Sequence, residues 1–281
     1  MHFFWPNEPL SWLRFTCLET FIDLNPDWKV ILWRRKNVGA APQWCSDEHK
    51  TPRPADLEDW RPNIKNLSLE CREVPDDWQW YQQSINTTPL TNVHFKDMWN
   101  WTLLKNGEGF VADMDIIWLR SIPEFDTDAN TFITVFNGAP LAGYVPVTMM
   151  GSTKPNQPPF CDALDRAIAG YNPEHYESCG APCFNKELLH DHKWYNLGHI
   201  VYPIVTKYGA MHGVYKMIHF DMSSDITNEV GLHWYGGHEQ SRWFENHING
   251  YNDIKRLRGE NREHENTITR LLTKHYELKK G

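Results

Sequence analysis

The chain has 281 residues, of which 41% are hydrophobic and 23% charged, and its formal net charge at pH 7 is -8. This composition is that of a globular protein and excludes a disordered chain, and the negative charge argues against nucleic acid as a partner. No window approaches the roughly 18 consecutive apolar residues of a membrane span, and no secretion signal follows Met1, so we expect a cytoplasmic protein without a membrane span.

The first part of the chain predicts a strand, a helix and a second strand. HFFW (2–5) indicates a short buried strand, and residues 10–24 carry apolar side chains at helical spacing, with Ser11 as a plausible cap. WKVILW (28–33) is typical of a central parallel strand. Residues 37–92, rich in Pro, Asp and Trp, predict a loop-rich insertion.

Regular structure resumes after this insertion. FKDMWNWTLLKNG (95–107) predicts a helix that ends at its glycine, and GFVADMDIIWL (109–119) predicts a strand interrupted by an acidic triplet. Further predicted elements are a strand at 131–136, a strand near 150, a short helix at 161–169 and a helical tail at 252–281. We therefore expect a single α/β domain over 1–281, with a mostly parallel central sheet and helices on both faces.

The acidic triplet is the most informative local feature. Asp113 and Asp115 follow an apolar strand, and ligands of open α/β sheets bind beyond the carboxyl ends of the strands. Alternate residues of an extended segment face one way, so both carboxylates can address one Mg²⁺ or Mn²⁺ ion. The alternative is that both acids are solvated turn residues.

The segment HFKDMWNWTLLKNGEGFVADMDIIWL resembles the DXD-containing sugar transferases of glycosyltransferase family thirty-two and the clostridial glucosylating toxins. Their pattern is an Asp that opens a helix, an Arg three positions later, a glycine pair, and a strand that ends in DXD. Asp97, Gly109 and the two acids match it, whereas Asn100 stands at the arginine position. The resemblance implies a GT-A-like (Rossmann-like) fold.

The resemblance also implies roles for the matching residues. Asp97 would bind sugar or ribose hydroxyls, Asp113 the ribose or a metal-bound water, and Asp115 the metal directly. Asn100 would lie in the donor site, where the missing arginine puts the donor sugar or the strength of diphosphate binding in doubt. The opening segment is similar as well and implies that Trp5 stacks on the nucleotide base; the alternative is that this ring only closes the edge of the core.

GLHWYGGHEQSRW (231–243) is similar to family segments that close over the diphosphate. This similarity implies that His233 contacts the metal or a phosphate and that Ser241 and Trp243 contact the diphosphate. His238 and Glu239 are competing candidates for the metal. For His233, the alternative is a structural histidine that only makes hydrogen bonds.

The sequence therefore predicts a metal-dependent glycosyltransferase that uses Mn²⁺ or Mg²⁺. It would move a sugar from a UDP- or GDP-linked donor to a glycan or another hydroxyl acceptor, with retention and with a role in polysaccharide biosynthesis. Two alternatives remain open: a metal-dependent phosphodiesterase or nucleotidyltransferase, and a noncatalytic glycan-binding protein, which the 14 tryptophans would suit.

Overall fold

The computed structural model describes residues 1–35, 58–79, 90–135, 143–201, 229–236, 239–260 and 267–279. Within these ranges the strands are β1 His2–Phe4, β2 Ile31–Arg34, β3 Glu70–Glu73, β4 Gly109–Ala112, β5 Ile116–Trp118, β6 Thr131–Ile133, β7 Met149–Ser152, β8 Trp194–Asn196 and β9 Gly231–His233. The α-helices are α1 Trp12–Leu24, α2 Asn92–Asn106, α3 Pro158–Ala169, α4 Gly198–Val201, α5 Glu239–His247, α6 Tyr251–Glu260 and α7 Thr267–Leu278. Short 3₁₀ helices lie at Arg61–Asn66, Asp76–Gln79, Ala181–Cys183 and Lys186–Leu189.

The central sheet has seven strands in the order β3-β2-β1-β4-β7-β6-β8. All of its neighbouring pairs are parallel except the two that β7 makes, with β4 and with β6. A second, two-stranded antiparallel sheet joins β5 to β9. The expected α/β class with a mostly parallel, GT-A-like sheet is therefore confirmed.

Helices cover both faces of the sheet, as expected. Side chains of β1 alternate between faces, so Phe3 packs in the core cluster that contains Phe21 of α1, and Phe4 packs with Phe95 of α2. A third cluster joins the start of α1 to the C-terminal helices, where the ring of Trp12 stacks on Tyr276. This last contact places the C-terminal helices against α1.

Helix ends follow local signals in the sequence. Ser11 caps α1 by accepting a hydrogen bond from the backbone N–H of Arg14, and Thr91 caps α2 in the same manner. Gly107 ends α2 with a φ of 71°, a left-handed conformation that glycine adopts without strain. A side chain at this glycine would also meet the backbone of Lys154, with its Cβ 2.3 Å from the carbonyl carbon.

Several predicted boundaries were wrong. The predicted loop-rich insertion at 37–92 contributes β3 to the edge of the central sheet, and its parts at 37–57 and 80–89 lie outside the described residues. The helix expected at 161–169 begins at Pro158, since proline is favourable in a first helical turn. In the expected helical tail the structure describes α6 and α7, and residues 261–266 lie outside the described residues. Among the described helices, none combines the length and the hydropathy needed to cross a membrane.

Candidate functional site

Asp113 and Asp115 lie between the end of β4 and the start of β5. Met114 between them is buried in the core, with 3% of its surface exposed. The backbone N–H of Asp113 still donates to the carbonyl of Thr148, in the segment that leads into β7. The chain is thus anchored to the central sheet just where the two acids leave it, at the carboxyl end of β4 as the sequence predicts.

His233 reaches the acids through the second sheet. In the β5-β9 pair Ile116 lies opposite His233, and the backbone N–H of Trp234 donates to the carbonyl of Asp115. This register places His233 Nε2 3.0 Å from Asp115 Oδ1. One ligand atom from each of Asp113, Asp115 and His233 falls within 4.8 Å of the others, so among the described residues this trio could hold a metal ion.

Asp115 is held as an anion by its surroundings. The backbone N–H of Gly236 donates to its Oδ2 over 2.7 Å, and Arg14 Nη1 lies 4.0 Å from the same oxygen. Burial alone would raise the pKa of this carboxyl, but the contacts with His233, Arg14 and Gly236 outweigh burial and hold that pKa well below its usual range. Asp115 therefore offers a charged oxygen to a cation at any physiological pH.

Asp113 has a different partner, Lys96 of α2. Lys96 Nζ lies 2.6 Å from Asp113 Oδ1 and 3.2 Å from Asp97 Oδ1. Burial raises the pKa of Asp113, the neighbouring charge of Asp115 adds to that effect, and Lys96 opposes it. Burial would lower the pKa of Lys96, but the charges of Asp113 and Asp97 outweigh it and raise that pKa.

The charges in this region do not cancel. Two pairs of carboxylates each share one cation: Asp97 and Asp113 share Lys96, and Asp115 and Glu245 share Arg14. Four carboxylates against two side-chain cations leave two negative charges, which one divalent cation would balance. Two carboxylates and an imidazole within mutual reach suit Mn²⁺, and the carboxylates alone suit Mg²⁺, so the residues fit the expected metal.

Asp97 and Asn100, the other predicted donor residues of this region, are both buried on α2. The segment around Gly180 packs against Asp97, because a Cβ built on that glycine would lie 3.2 Å from Asp97 Oδ2. Trp101 of the same helix donates its indole N–H to the carbonyl of Cys179. The segment CGAPC (179–183) is thereby held beside Asp97, where a side chain at position 180 would crowd the carboxylate.

Trp5 lies at the end of β1 and is 8% exposed. The guanidinium carbon of Arg14 is 5.4 Å from the centroid of its ring and 4.9 Å from that of Trp234, so the guanidinium lies between two indoles. The indole N–H of Trp5 donates to the carbonyl of Glu8. Base stacking by Trp5 stays a prediction, and the structure places this ring beside Arg14 and so near the acidic pair.

Of the two predicted diphosphate contacts, Ser241 and Trp243, the structure describes the side chain of Ser241. Ser241, 1% exposed, donates its hydroxyl to the carbonyl of Trp234 over 2.6 Å, so here it fixes the segment that carries His233. Trp243 lies on α5, but its side chain is outside the described part of the chain, as are His238 and the side chain of Glu239. Diphosphate contact by Ser241 and Trp243 stays a prediction.

Sequence reasoning missed four residues of the site: Arg14, Lys96, Gly236 and Glu245. Glu245 of α5 is fully buried and accepts hydrogen bonds from Ser11 Oγ over 2.5 Å and from Arg14 Nε over 3.2 Å. Lys96 and Gly236 lie inside the segments that carry the family resemblance, which was the available signal. Nothing in the local sequence links Arg14 to Glu245, since they are far apart in the chain.

No family model matches the chain, and a search of curated proteins found no match. Solved structures do match: a PaToxG glycosyltransferase is 16% identical with a TM-score of 0.50, over 68% of this chain and 67% of its own. The ligand-free glycosyltransferase domain of the YGT toxin gives 0.40 and 12% identity, over 60% of this chain and 62% of its own. A transferase mutant gives 0.42 and 12% identity, over 69% of this chain and 90% of its own. The likeness to PaToxG agrees with the α/β fold described above.

Proposed function

We propose that this chain is a metal-dependent glycosyltransferase that moves a sugar from a nucleotide-diphosphate donor to a hydroxyl acceptor. The observation that carries the proposal is the convergence of Asp113, Asp115 and His233 at the carboxyl end of β4. Ligands of open α/β sheets bind at this edge, and one divalent cation would balance the two negative charges that are left over there. The fold it shares with a glycosyltransferase supports the same reaction class.

In this proposal Asp113, Asp115 and His233 hold the ion, which supplies positive charge to the leaving diphosphate. The bond between the anomeric carbon and the diphosphate oxygen breaks, and its electron pair stays on that oxygen. The acceptor oxygen forms the new bond to the anomeric carbon, and its proton passes to the released diphosphate. Asp97 and Asn100 line the donor site, with the carboxylate of Asp97 addressing sugar or ribose hydroxyls. Trp5 stacks on the base, and Ser241 and Trp243 border the diphosphate.

The finer points remain predictions from the sequence. They are Mn²⁺ as against Mg²⁺, a UDP- or GDP-linked donor, retention at the anomeric carbon, a role in polysaccharide biosynthesis and a cytoplasmic location. Mn²⁺ is favoured here because imidazole is a poor ligand for Mg²⁺.

A thermal-shift screen of nucleotide sugars with and without Mn²⁺ tests the proposal. A ligand that binds only the folded state raises the apparent stability, so the right donor is expected to raise Tm in the presence of Mn²⁺. Asp113→Asn and Asp115→Asn are expected to remove that shift, whereas Asp165→Asn, which changes an exposed acid of α3, keeps it.

The products then separate this reaction from the alternatives. Release of nucleoside diphosphate together with a glycosylated acceptor supports the transferase, and release of nucleoside monophosphate supports a phosphodiesterase. Binding of glycans without turnover of any nucleotide sugar in Mn²⁺ would leave a noncatalytic glycan-binding protein as the better reading.

A further inference from the structure

Lys96 lies closer to the paired acids than Arg14 does. Its Nζ is 2.6 Å from Asp113 Oδ1, whereas the nearest approach of Arg14 to Asp115 is 4.0 Å. The Lys96 side chain remains 24% exposed, so it is not sealed in the core. The same ammonium also lies 3.2 Å from Asp97, and it therefore bridges two of the predicted donor-site acids.

This position conflicts with the binding of a divalent ion. Carboxylate oxygens hold Mg²⁺ or Mn²⁺ at about 2.1 Å, and the Lys96 ammonium lies at hydrogen-bonding distance from the same carboxylate. Two cations on one partly buried carboxylate repel each other more than they would in water, because the surrounding dielectric is lower. A lysine side chain has four flexible methylenes, so the ammonium is the cation that can move.

A second anion for the displaced ammonium comes with the donor. A nucleotide-diphosphate donor carries charged phosphate oxygens, which the metal contacts on one side and which a lysine on α2 can contact on another. Moving from Asp113 to a phosphate would let Lys96 keep a charged partner while the ion takes the carboxylate. The bare ion brings no new anion, and it leaves Lys96 with Asp97 in place of the two carboxylates that it bridges.

We propose that Lys96 is an internal competitor of the divalent ion: its ammonium holds Asp113 until the ion arrives, and then pairs with a phosphate of the nucleotide donor. This inference rests on the metal site of the proposed function. Its consequence is that the chain binds the bare ion weakly and binds ion and nucleoside diphosphate cooperatively. By linkage, the ion strengthens nucleotide binding by the same factor.

A titration with Mn²⁺ alone tests whether Lys96 competes with the ion. The electron paramagnetic resonance signal of free Mn²⁺ measures the binding. Lys96→Met removes the competitor and leaves one more uncompensated negative charge, so we expect at least about tenfold tighter Mn²⁺ binding. Lys105→Met, towards the C-terminal end of the same helix, is the matched control and is expected to bind as the unaltered protein does. Lys96→Arg keeps the charge and is expected to stay within about threefold of the unaltered protein.

Repeating the titration in the presence of UDP or GDP tests whether Lys96 pairs with a phosphate of the nucleotide. In the unaltered protein, we expect the better of the two nucleotides to raise the affinity for Mn²⁺. In Lys96→Met, we expect the same nucleotide to raise that affinity by a factor that is smaller by at least about fivefold. Circular dichroism checks that the variants are folded, and Lys96→Gln replaces the Met variant if that one is not.

Equal or weaker binding of Mn²⁺ alone to Lys96→Met would overturn the inference, and so would an unchanged coupling to the nucleotide. Failure of the proposed function is distinguishable: in that case Mn²⁺ binds neither the unaltered protein nor the Lys96 variants.

Discussion

The backbone N–H of Gly236 donates to Asp115 Oδ2 over 2.7 Å, so the turn after β9 helps to orient an acid of the candidate metal site. Glycine is required there for a steric reason. A Cβ at position 236 would lie 2.0 Å from Arg14 Nη2, and Arg14 cannot easily yield because Glu245 holds its Nε and two indoles enclose its guanidinium. Because Gly236 has no side chain, both Arg14 and the turn after β9 can lie close to Asp115.

Gly236→Ala is therefore expected to displace either Arg14 or the turn. We expect a loss of about 1–3 kcal/mol in the free energy of unfolding, the usual cost of overpacking, and a Mn²⁺ affinity lower by about tenfold. Urea denaturation and Mn²⁺ titration measure the two effects. Gly250→Ala is the control, because a Cβ there meets nothing within 4 Å. If both variants behave alike, the turn does not depend on this glycine.

Glu245→Gln tests the link between the C-terminal helices and the site. The carboxylate of Glu245 is fully buried and accepts from Ser11, the cap of α1, and from Arg14. A glutamine amide is neutral, so Ser11 and Arg14 would lose their hydrogen bonds to a charged carboxylate. A hydrogen bond to a charged group contributes about 2 kcal/mol to stability. We expect a loss of about 2 kcal/mol in urea denaturation. We also expect weaker Mn²⁺ binding, because the region loses one negative charge and Arg14 keeps Asp115 as its remaining carboxylate partner of this pair.

The control for this change is Glu277→Gln, on the exposed side of α7, which is expected to leave both quantities unchanged. A Glu245→Gln variant that loses stability but binds Mn²⁺ normally would show that the pair with Arg14 serves the fold alone.

The sequence predicted those parts of the site that are close together in the chain. The strand before Asp113 and the pairing of two acids follow from local pattern, and the position of His233 followed from a family resemblance. The contact between Arg14 and Glu245 depends on how α5 packs against α1, which no local pattern encodes. The sequence shows that Lys96 is positively charged. Whether its side chain reaches Asp113 depends on how α2 is rotated relative to β4, which the sequence pattern does not show.

The fold shows a similar division. Apolar runs such as those of β1 and β2 predicted central strands, whereas β3, with the sequence ECRE, was missed. Its side chains are mostly exposed and charged, because it lies at the edge of the sheet, where charge discourages pairing with another chain. Periodicity detects strands that are buried on at least one face, and β3 is not among them.

Trp5→Leu separates the two roles considered for this tryptophan. If its ring stacks on the base, nucleoside diphosphate binding in Mn²⁺ is expected to weaken by about tenfold, since base–aromatic stacking contributes about 1–3 kcal/mol. Binding of Mn²⁺ alone should persist, because Trp5 is not in the metal cluster. Isothermal titration measures both, and Trp194→Ala, at an exposed tryptophan, is the control. Lower stability with unchanged nucleotide binding would instead assign Trp5 to the edge of the core.

The last prediction concerns pH and His2 in β1. Trp33 Nε1 donates to His2 Nδ1 over 2.8 Å, and His2 Nε2 lies 2.7 Å from the carbonyl of Glu108, so the folded state holds a neutral ring with its hydrogen on Nε2. Burial lowers the pKa of His2 from 6.5 to about 4. Between these values the unfolded chain binds a proton that the folded chain does not, and stability therefore falls as the pH falls from 6.5 to 4.

At pH 5 this difference amounts to about 2 kcal/mol, because each unit of pKa shift corresponds to about 1.4 kcal/mol. Urea denaturation at pH 7 and pH 5 measures it. His2→Gln is expected to be less stable at pH 7, because it loses the hydrogen bond of Trp33, but to lose about 2 kcal/mol less than the unaltered protein on going to pH 5. His190→Gln, at an exposed histidine, should keep the full pH dependence. The amino group of Met1, whose pKa burial lowers to about 5, is common to all three proteins, so it cancels in the comparison. An equal loss in the His2→Gln variant would mean that His2 is not the group whose protonation opposes folding.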